Sequence, residues 1–255
     1  MRRRGWVGLA VVSLLTPVMV APFLYMVFTS LVDESGAYGA VWRALPFPRL
    51  LLNSVLFAGF AAAGQVLTSA AAAYAFARLR FPGRDRVFLA FLSLLLLPAV
   101  VLVVPRFLMI DGLGWVDSYT GLISTELVSV WGIFFLRQAF LTLPRDLEDA
   151  ARLDGAGEWT IFWRVILPLA KPALATLALL AFVDQWKNFL WPLIATRSLE
   201  MQVVELGLAR FHGLYASNWP YQMAAATIAT LPLLVVFLVA QRYINRGVPL
   251  AGSRS

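Results

Sequence analysis

The chain has 255 residues, of which 60% are hydrophobic and only 14% are charged, with a formal net charge of +7 and no cysteine. This composition excludes an ordinary soluble domain, in which about one residue in four is charged, and the lack of cysteine excludes disulfides and thiol chemistry. The apolar runs are long and continuous, unlike the segments of about ten alternating residues that form transmembrane β-barrels. The sequence therefore predicts an all-α integral membrane protein.

Long apolar runs follow one another along the whole chain. They predict six spanning helices, at approximately 6–30, 52–77, 87–110, 119–141, 172–195 and 221–243. Three arginines precede the first run, but this run exceeds the apolar region of a signal peptide and offers no small-residue cleavage site, so we expect an uncleaved span. The predicted organisation is a first span and outer connection at 1–49, a membrane core at 50–243 and a tail at 244–255.

Lysine and arginine are distributed unevenly over the connections between these runs. They concentrate at the N-terminus, the 78–86 turn, the 142–171 loop and the C-terminus, whereas the other connections hold fewer of them. Because positively charged loops stay in the cytoplasm, both termini and the 142–171 loop are expected there. The excess of positive charge follows from this topology and gives no reason to expect a nucleic-acid partner.

The 142–171 loop is far longer than a connection between two spans requires, and it is polar. Pro144 suits the first turn of a helix and Gly155 suits the position just past its end, so we predict a helix at about 145–154. A second helical stretch is expected at about 158–166, before the proline that precedes the fifth run. The length and charge of the loop indicate that a soluble partner docks on it.

Small and acidic residues of the first loop helix are spaced for one contact surface. The residues that share this face are Leu147, Ala150, Ala151 and Asp154. The alternative is an amphipathic loop that lies on the lipid surface, with Trp159, Phe162 and Trp163 in the interface. Four carboxylates favour a charged protein groove over an anionic lipid surface, and they belong to Asp146, Glu148, Asp149 and Asp154.

Polar side chains interrupt the fifth apolar run, where an ionisable group is costly unless it faces protein or water. Asp184, Gln185 and Asn188 are therefore candidates for the path of a solute. Asp184 and Lys187 are three residues apart, so the competing interpretation is an ion pair that stabilises helix packing.

Other polar and aromatic residues of the apolar runs are expected to have structural roles. Trp186 and Trp191 are predicted to lie in the aromatic belt at the membrane interface. Hydrogen bonds between helices are expected from the polar side chains of the second run, Asn53, Gln65 and Ser69. The single histidine, His212, has no second ligand at helical spacing, so neither a metal site nor a catalytic residue is predicted.

The 142–171 loop also carries a recognisable motif. Asp149-Ala150-Ala151, three residues, Gly155, nine residues and then Val165-Ile166-Leu167-Pro168 resembles the cytoplasmic coupling signature of bacterial ABC importer permeases. That signature reads Glu-Ala-Ala, three residues, Gly, nine residues and Ile-x-Leu-Pro. Asp149 stands in place of glutamate, with Glu148 directly before it, and Val165 stands in place of isoleucine.

The resemblance extends from about residue 50 to residue 247. Four further segments are similar to the carbohydrate-uptake branch of these permeases, and they are 132–138, 182–192, 211–219 and 241–247. Within that branch the chain most resembles the second, shorter permease of maltose and glycerol-3-phosphate importers. Glu126 departs from the family pattern, which has an apolar residue or proline there, and the sequence assigns it no role.

The resemblance implies a type I importer in the bacterial inner membrane, with this chain as a permease subunit of six transmembrane helices. The implied partners are a second permease subunit, an ATPase dimer and an extracytoplasmic solute-binding protein. The chain has no G-x-x-x-x-G-K-[ST] phosphate loop, so ATP and Mg²⁺ are expected on the ATPase subunits and no cofactor on this one. The implied solute is a sugar, an oligosaccharide or a polyol phosphate.

The resemblance also implies which residues meet the ATPase. The first loop helix would sit in a cleft of that subunit, and ATP-driven closure would push it as a lever. The coupling residues expected on this basis are Glu148, Asp149, Ala150, Ala151, Asp154, Gly155 and Pro168.

Two other functional classes compete with this interpretation. A secondary transporter or channel more often has about twice this length, with repeats and helix breaks at mid-membrane. A membrane-embedded enzyme or assembly factor would need a group of histidines, cysteines or paired carboxylates. A separate ATPase requirement for uptake would distinguish the importer from both.

Overall fold

The computed structural model describes residues 2–32, 36–216 and 218–244. Within these ranges the regular structure is helical, as predicted. The helices are α1 (Arg2–Leu31), α2 (Ala37–Ala44), α3 (Phe47–Arg78), α4 (Arg84–Ser93), α5 (Val103–Gly112), α6 (Tyr119–Ser124), α7 (Val130–Leu141), α8 (Asp146–Leu153), α9 (Glu158–Ile161), α10 (Leu167–Leu169), α11 (Lys171–Trp186), α12 (Leu190–Ala195), α13 (Val204–Leu214) and α14 (Trp219–Ile244). Apart from Ile244, the predicted tail at 244–255 lies outside the described residues.

Three described helices are long and apolar enough to cross a membrane, within α1, α3 and α14. Two bent pairs would raise this number to five: Arg84–Leu96 with Ala99–Gly112, bent by 99°, and Glu158–Leu169 with Lys171–Trp186, bent by 78°. The apolar helix α7 is shorter, with 12 residues. Six spans therefore remain a prediction, and several of them are not single straight helices.

The predicted span at 87–110 is broken near its middle, so its prediction as one helix was wrong. Leu97 has an extended backbone with φ −80° and ψ 125°, and Pro98 follows it. A proline disfavours the helical conformation of the residue before it and has no N–H for the helix ladder. The bend separates α4 from α5.

The predicted span at 119–141 is divided into α6 and α7 by an unwound segment, residues 125–129. The Ser129 hydroxyl accepts a hydrogen bond of 3.0 Å from the Gly132 N–H, which caps the start of α7. Side chains of α3 donate to the carbonyl groups of the unwound segment: Gln65 to Glu126, Thr68 to Leu127 and Ser69 to Ser129. These hydrogen bonds satisfy carbonyl groups that the break leaves without a helical partner. Such partners are required because no water is available in the apolar part of a membrane.

The predicted span at 172–195 is also divided, into α11 and α12. Asn188 lies in the break and accepts a hydrogen bond of 3.3 Å from the Trp191 N–H through its side chain. The polar residues of this run therefore lie at the C-terminal end of α11 and in the break that follows it.

Helix α3 is the centre of the fold and packs against α7, α11 and α13. Its buried positions include many alanines, which let neighbouring backbones approach closely: Ala58, Ala61, Ala62, Ala70, Ala73 and Ala77. One core cluster joins α3 to α11, α13 and α14 around Trp186 and Phe211. A second cluster joins α3 to α7 and to the loop around Phe140 and Ile161.

A polar clasp joins two loops at the end of the fold opposite α8. Asp117 has a left-handed backbone with φ 60°, and its Oδ1 accepts hydrogen bonds from the Arg197 N–H, the Ser198 N–H and the Ser198 hydroxyl at 2.9 to 3.1 Å. Burial alone would raise the pKa of Asp117, but these hydrogen bonds hold it below its usual range. The clasp ties the α5–α6 connection to the α12–α13 connection.

Candidate functional site

Helix α8 matches the first helix predicted in the loop to within one residue at each end. Its last turn closes through two hydrogen bonds, from the Ala156 N–H to the Ala151 carbonyl at 2.9 Å and from the Gly155 N–H to the Arg152 carbonyl at 3.0 Å. This pair of bonds is the Schellman arrangement, which requires a left-handed residue just past the helix. Gly155 supplies it with φ +80°.

The side chain of Glu148 is turned into the protein, away from the exposed face of α8. It is 3% exposed, and its Oε1 lies 3.0 Å from Nε of Arg78, whose side chain is 2% exposed. Nη2 of Arg78 also donates to the carbonyl oxygens of Phe140 and Leu143. One guanidinium at the end of α3 thus holds both α8 and the end of α7.

A second set of contacts joins α8 to α9. Arg152 donates to Oε1 of Glu158 at 3.1 Å and to Oδ1 of Asp149 at 2.9 Å, and the Tyr74 hydroxyl donates to Oε2 of Glu158. The hydrogen bond with Glu158 is the main cause of a raised pKa of Arg152, so this guanidinium stays charged. Together with the Arg78–Glu148 pair, these contacts form the α8 anchor, which consists of Tyr74, Arg78, Glu148, Arg152 and Glu158.

The opposite side of α8 is open. Asp149, Ala150, Asp154 and Gly155 are exposed, whereas Ala151 is half-buried against the second core cluster. Leu153 is 90% exposed at the tip of the helix. The exposed surface of α8 thus combines carboxylates with small and apolar side chains.

The remaining loop residues separate into two groups. Trp159 and Trp163 are exposed, but Phe162 is buried, so the loop does not present all three rings to a lipid interface. Residues 158–169 form one helical segment with a π-helical turn at Phe162–Ile166. Pro168 is exposed in α10, directly before the bend into α11.

Glu126 is the centre of a second polar group, which links three broken helices. Its carboxylate is paired with Arg106 and accepts a hydrogen bond of 3.0 Å from the Gln185 amide. Asn188 donates to Oε1 of Gln185 at 3.2 Å, and the Arg106 guanidinium lies 4.1 Å from the ring centre of Trp191. The structure thus gives Glu126 a role that the sequence did not assign.

Asp184 is outside this network. It is exposed and lines a cavity of about 400 Å³ together with Gln65, Ser129 and Trp131, and a neighbouring cavity with Lys187 and Asn188. The ion pairs of the described residues do not include one between Asp184 and Lys187. The described residues therefore do not contain the ion pair of the competing interpretation.

The two predicted belt tryptophans are interior residues. Trp186 and Trp191 are each 2% exposed, because Trp186 stacks on Phe182 and the Trp191 indole donates to the Leu122 carbonyl at 3.0 Å. Asn53, Gln65 and Ser69 do donate hydrogen bonds from α3 to other parts of the fold, but their acceptors are carbonyl groups in the connections between helices, at Gln202, Glu126 and Ser129.

Residues 65–249 match the family described as the binding-protein-dependent transport system inner membrane component. The chain belongs to this family. The match covers α3 from Gln65, the broken helices, the α8 anchor and α14.

Two kinds of relatives of this permease are named for different solutes. It is 38% identical over 200 residues to the arabinooligosaccharides transport system permease protein AraQ of Bacillus subtilis strain 168, covering 78% of this chain and 71% of the relative. It is 36% identical over 215 residues to the sn-glycerol-3-phosphate transport system permease protein UgpE of Yersinia pestis bv. Antiqua, covering 81% and 76%.

The fold of the permease is also found in a solved structure of a bacterial ABC transporter involved in the import of the acidic polysaccharide alginate. The two chains share 24% identity with a TM-score of 0.80, over 95% of this chain and 96% of the other. This likeness establishes the type I importer fold for the permease.

Several residues at the two sites were not singled out from the sequence. Arg78 was interpreted only as one of the positive charges that set the topology, and Arg106 as a charge of an outer connection. A usable signal was present for Arg106, because it and Glu126 are opposite charges near the ends of two neighbouring apolar runs, where pairing is expected. No comparable signal marks Tyr74, whose partner lies 84 residues away.

Proposed function

We propose that this permease carries a sugar, an oligosaccharide or a polyol phosphate into a bacterial cell, as one subunit of an ATP-driven importer. The observation that carries the proposal is the anchored yet exposed helix α8 in a chain of the binding-protein-dependent family. The transport proteins AraQ and UgpE support the solute class by their names.

The drive for transport comes from a separate ATPase subunit that docks on α8. Asp149, Ala150, Asp154 and Gly155 form the exposed part of the contact, with Ala151 at its edge. Glu148 contributes through a buried contact and not through the exposed surface. Its ion pair with Arg78 transmits a force on α8 to α3. Pro168 lies at the bend where the loop returns to the membrane.

The solute passes beside the break between α11 and α12. Asp184 and Asn188 face the cavities there, and Gln185 is held between Asn188 and Glu126. The second permease subunit closes the other side of the path, and an extracytoplasmic binding protein delivers the solute. The solved alginate transporter includes a complex with an alginate pentasaccharide-bound periplasmic protein, which supports such a delivery step.

The orientation completes the proposal, with both termini and α8 in the cytoplasm of a cell whose inner membrane holds the permease. A reporter enzyme fused after Arg84 should be active on the cytoplasmic side, and one near Asp117 on the outer side. The reverse pattern would contradict the arrangement.

The decisive test is reconstitution of the permease in liposomes with its second permease, ATPase and binding protein. Uptake of labelled arabinooligosaccharide or glycerol-3-phosphate should require ATP and all four components. Asp149→Lys should abolish uptake and copurification of the ATPase, whereas Asp111→Lys, which reverses an exposed charge at the end of α5, should preserve both. Uptake without an ATPase would refute the importer assignment.

A further inference from the structure

A basic cleft lies beside the α8 anchor, between the α3–α4 turn and the start of α8. It has a volume of about 760 Å³ and is lined by Arg80, Phe81, Arg84, Asp85, Arg86 and Arg145, together with one glycine of the turn. Four guanidiniums and one carboxylate therefore face the same space.

The single carboxylate of the cleft is already engaged. Oδ1 of Asp85 accepts a hydrogen bond of 3.1 Å from Nε of Arg84 and lies 4.0 Å from Nη2 of Arg137. Among the described residues, no carboxylate lies within 4.0 Å of Arg80, Arg86 or Arg145. Three guanidiniums around one cavity thus lack an anionic partner, and guanidinium groups bind phosphate oxygens well.

An apolar surface continues from the cleft along α4. Leu89 is 67% exposed and lies three residues after Arg86, on the same side of the helix. Leu96, which is 83% exposed, follows seven residues after Leu89. Phe81 is exposed at the rim, and the exposed leucines that follow α4 are Leu94, Leu95, Leu96 and Leu97.

The length of this surface suits one leaflet of a bilayer. From Arg86 to Leu96 a helical rise of about 1.5 Å per residue gives about 15 Å. The hydrocarbon core of a bilayer is about 30 Å thick, so one leaflet contributes about 15 Å. A ligand that fills both parts needs an anionic head and an apolar tail of this length.

We propose that this cleft binds the phosphate head group of an anionic phospholipid of the cytoplasmic leaflet, with an acyl chain along α4. Arg80, Arg86 and Arg145 hold the phosphate, and Leu89 contacts the chain. An acidic patch of a soluble subunit or free phosphate would satisfy the arginines but would leave the apolar surface unused. The proposal rests on the proposed orientation, with α8 in the cytoplasm, but not on the identity of the solute or on the import reaction.

The test uses the full-length protein, purified from mixed vesicles of phosphatidylcholine and phosphatidylglycerol. Native mass spectrometry should show phosphatidylglycerol retained in preference to phosphatidylcholine. The variant Arg80→Gln/Arg86→Gln/Arg145→Gln should lose this preference, by about fivefold for each guanidinium removed. The matched control Arg43→Gln/Arg164→Gln/Arg210→Gln removes the same charge elsewhere and should retain it.

Three results would overturn the proposal. The first is equal retention of phosphatidylglycerol by the triple variant and the wild-type protein. The second is displacement of the lipid by millimolar inorganic phosphate, which would identify a free-phosphate site. The third is loss of the copurifying ATPase subunit with lipid retention unchanged, which would identify a protein contact. If the triple variant is not produced, Arg86→Gln, at an exposed residue without an anionic partner, should still show the fivefold loss.

Discussion

Replacement of Glu148 by alanine tests whether α8 is held by its buried ion pair. The substitution removes the carboxylate 3.0 Å from Arg78 and leaves that guanidinium in a position where its side chain is 2% exposed. Removal of one partner of a buried ion pair leaves an unpaired buried charge and is strongly destabilising. Replacement of both partners by apolar residues of similar volume is often neutral or stabilising. The effect should therefore exceed that of any exposed carboxylate on the same helix.

The expected loss of stability depends on the hydrogen bonds that Arg78 retains. Breaking a buried pair costs about 3–5 kcal/mol, and Arg78 retains its hydrogen bonds to the Phe140 and Leu143 carbonyls. We therefore expect the lower end, about 3 kcal/mol, for Glu148→Ala. Asp149→Ala is the matched control, because its side chain is 65% exposed in its pair with Arg152, and such pairs contribute about 0–1 kcal/mol.

The measurement is the free energy of unfolding by guanidinium chloride in detergent micelles. Glu148→Ala should lower it by about 3 kcal/mol and Asp149→Ala by less than about 1 kcal/mol. The double variant Arg78→Met/Glu148→Leu should be more stable than Glu148→Ala, since it strands no charge. Equal losses for the two single variants, or a double variant less stable than Glu148→Ala, would refute the reasoning.

Three further predictions concern other features of the fold. Gly155→Ala should destabilise the protein by about 1–2 kcal/mol, because Gly155 has a φ of +80° that an alanine adopts only with strain. The control Gly157→Ala should be tolerated, because Gly157 has a φ of −74°. Thermal melting of the two variants checks this difference. The lowered pKa of Asp117 implies that its contribution to stability is complete above the unfolded value of about 4 and is lost as pH falls further; Asp117→Ala should flatten the acid limb of a stability profile. Glu126→Gln should leave Arg106 without its charged partner and reduce the yield of assembled complex, measured by size-exclusion chromatography; an unchanged yield would show that this pair does not support assembly.

The features that the sequence predicted are those set by neighbouring residues. Helix α8 was placed to within one residue because Pro144 and Gly155 mark its limits locally, and the Asp149–Gly155–Pro168 spacing identified the family. Of the expected coupling residues on α8 and just past its end, Asp149, Ala150, Asp154 and Gly155 are exposed and Ala151 is half-buried, but Glu148 is buried. The all-helical class needed only composition and the length of the apolar runs.

The features that the sequence did not predict depend on distant partners. A continuous span was predicted at 119–141 because hydropathy does not register a break whose carbonyl groups are satisfied by another helix. The break in the 87–110 span did have a local signal, Pro98, which the hydropathy of the run outweighed in the prediction. Trp191 is buried because a carbonyl group 69 residues away accepts its N–H. Glu148 appeared to be one acid of an exposed cluster until its partner at the end of α3 was located.

The unwound segment between α6 and α7 restricts which parts of the permease can slide past one another. Its carbonyl groups are held by Gln65, Thr68 and Ser69 of α3, and Arg137 of α7 donates in turn to the Phe76 carbonyl of α3. A displacement of α7 along α3 by one turn, about 5.4 Å, would break all of these bonds in an apolar medium. We therefore expect helices α3 and α7 to move together during transport, with the hinges outside this pair.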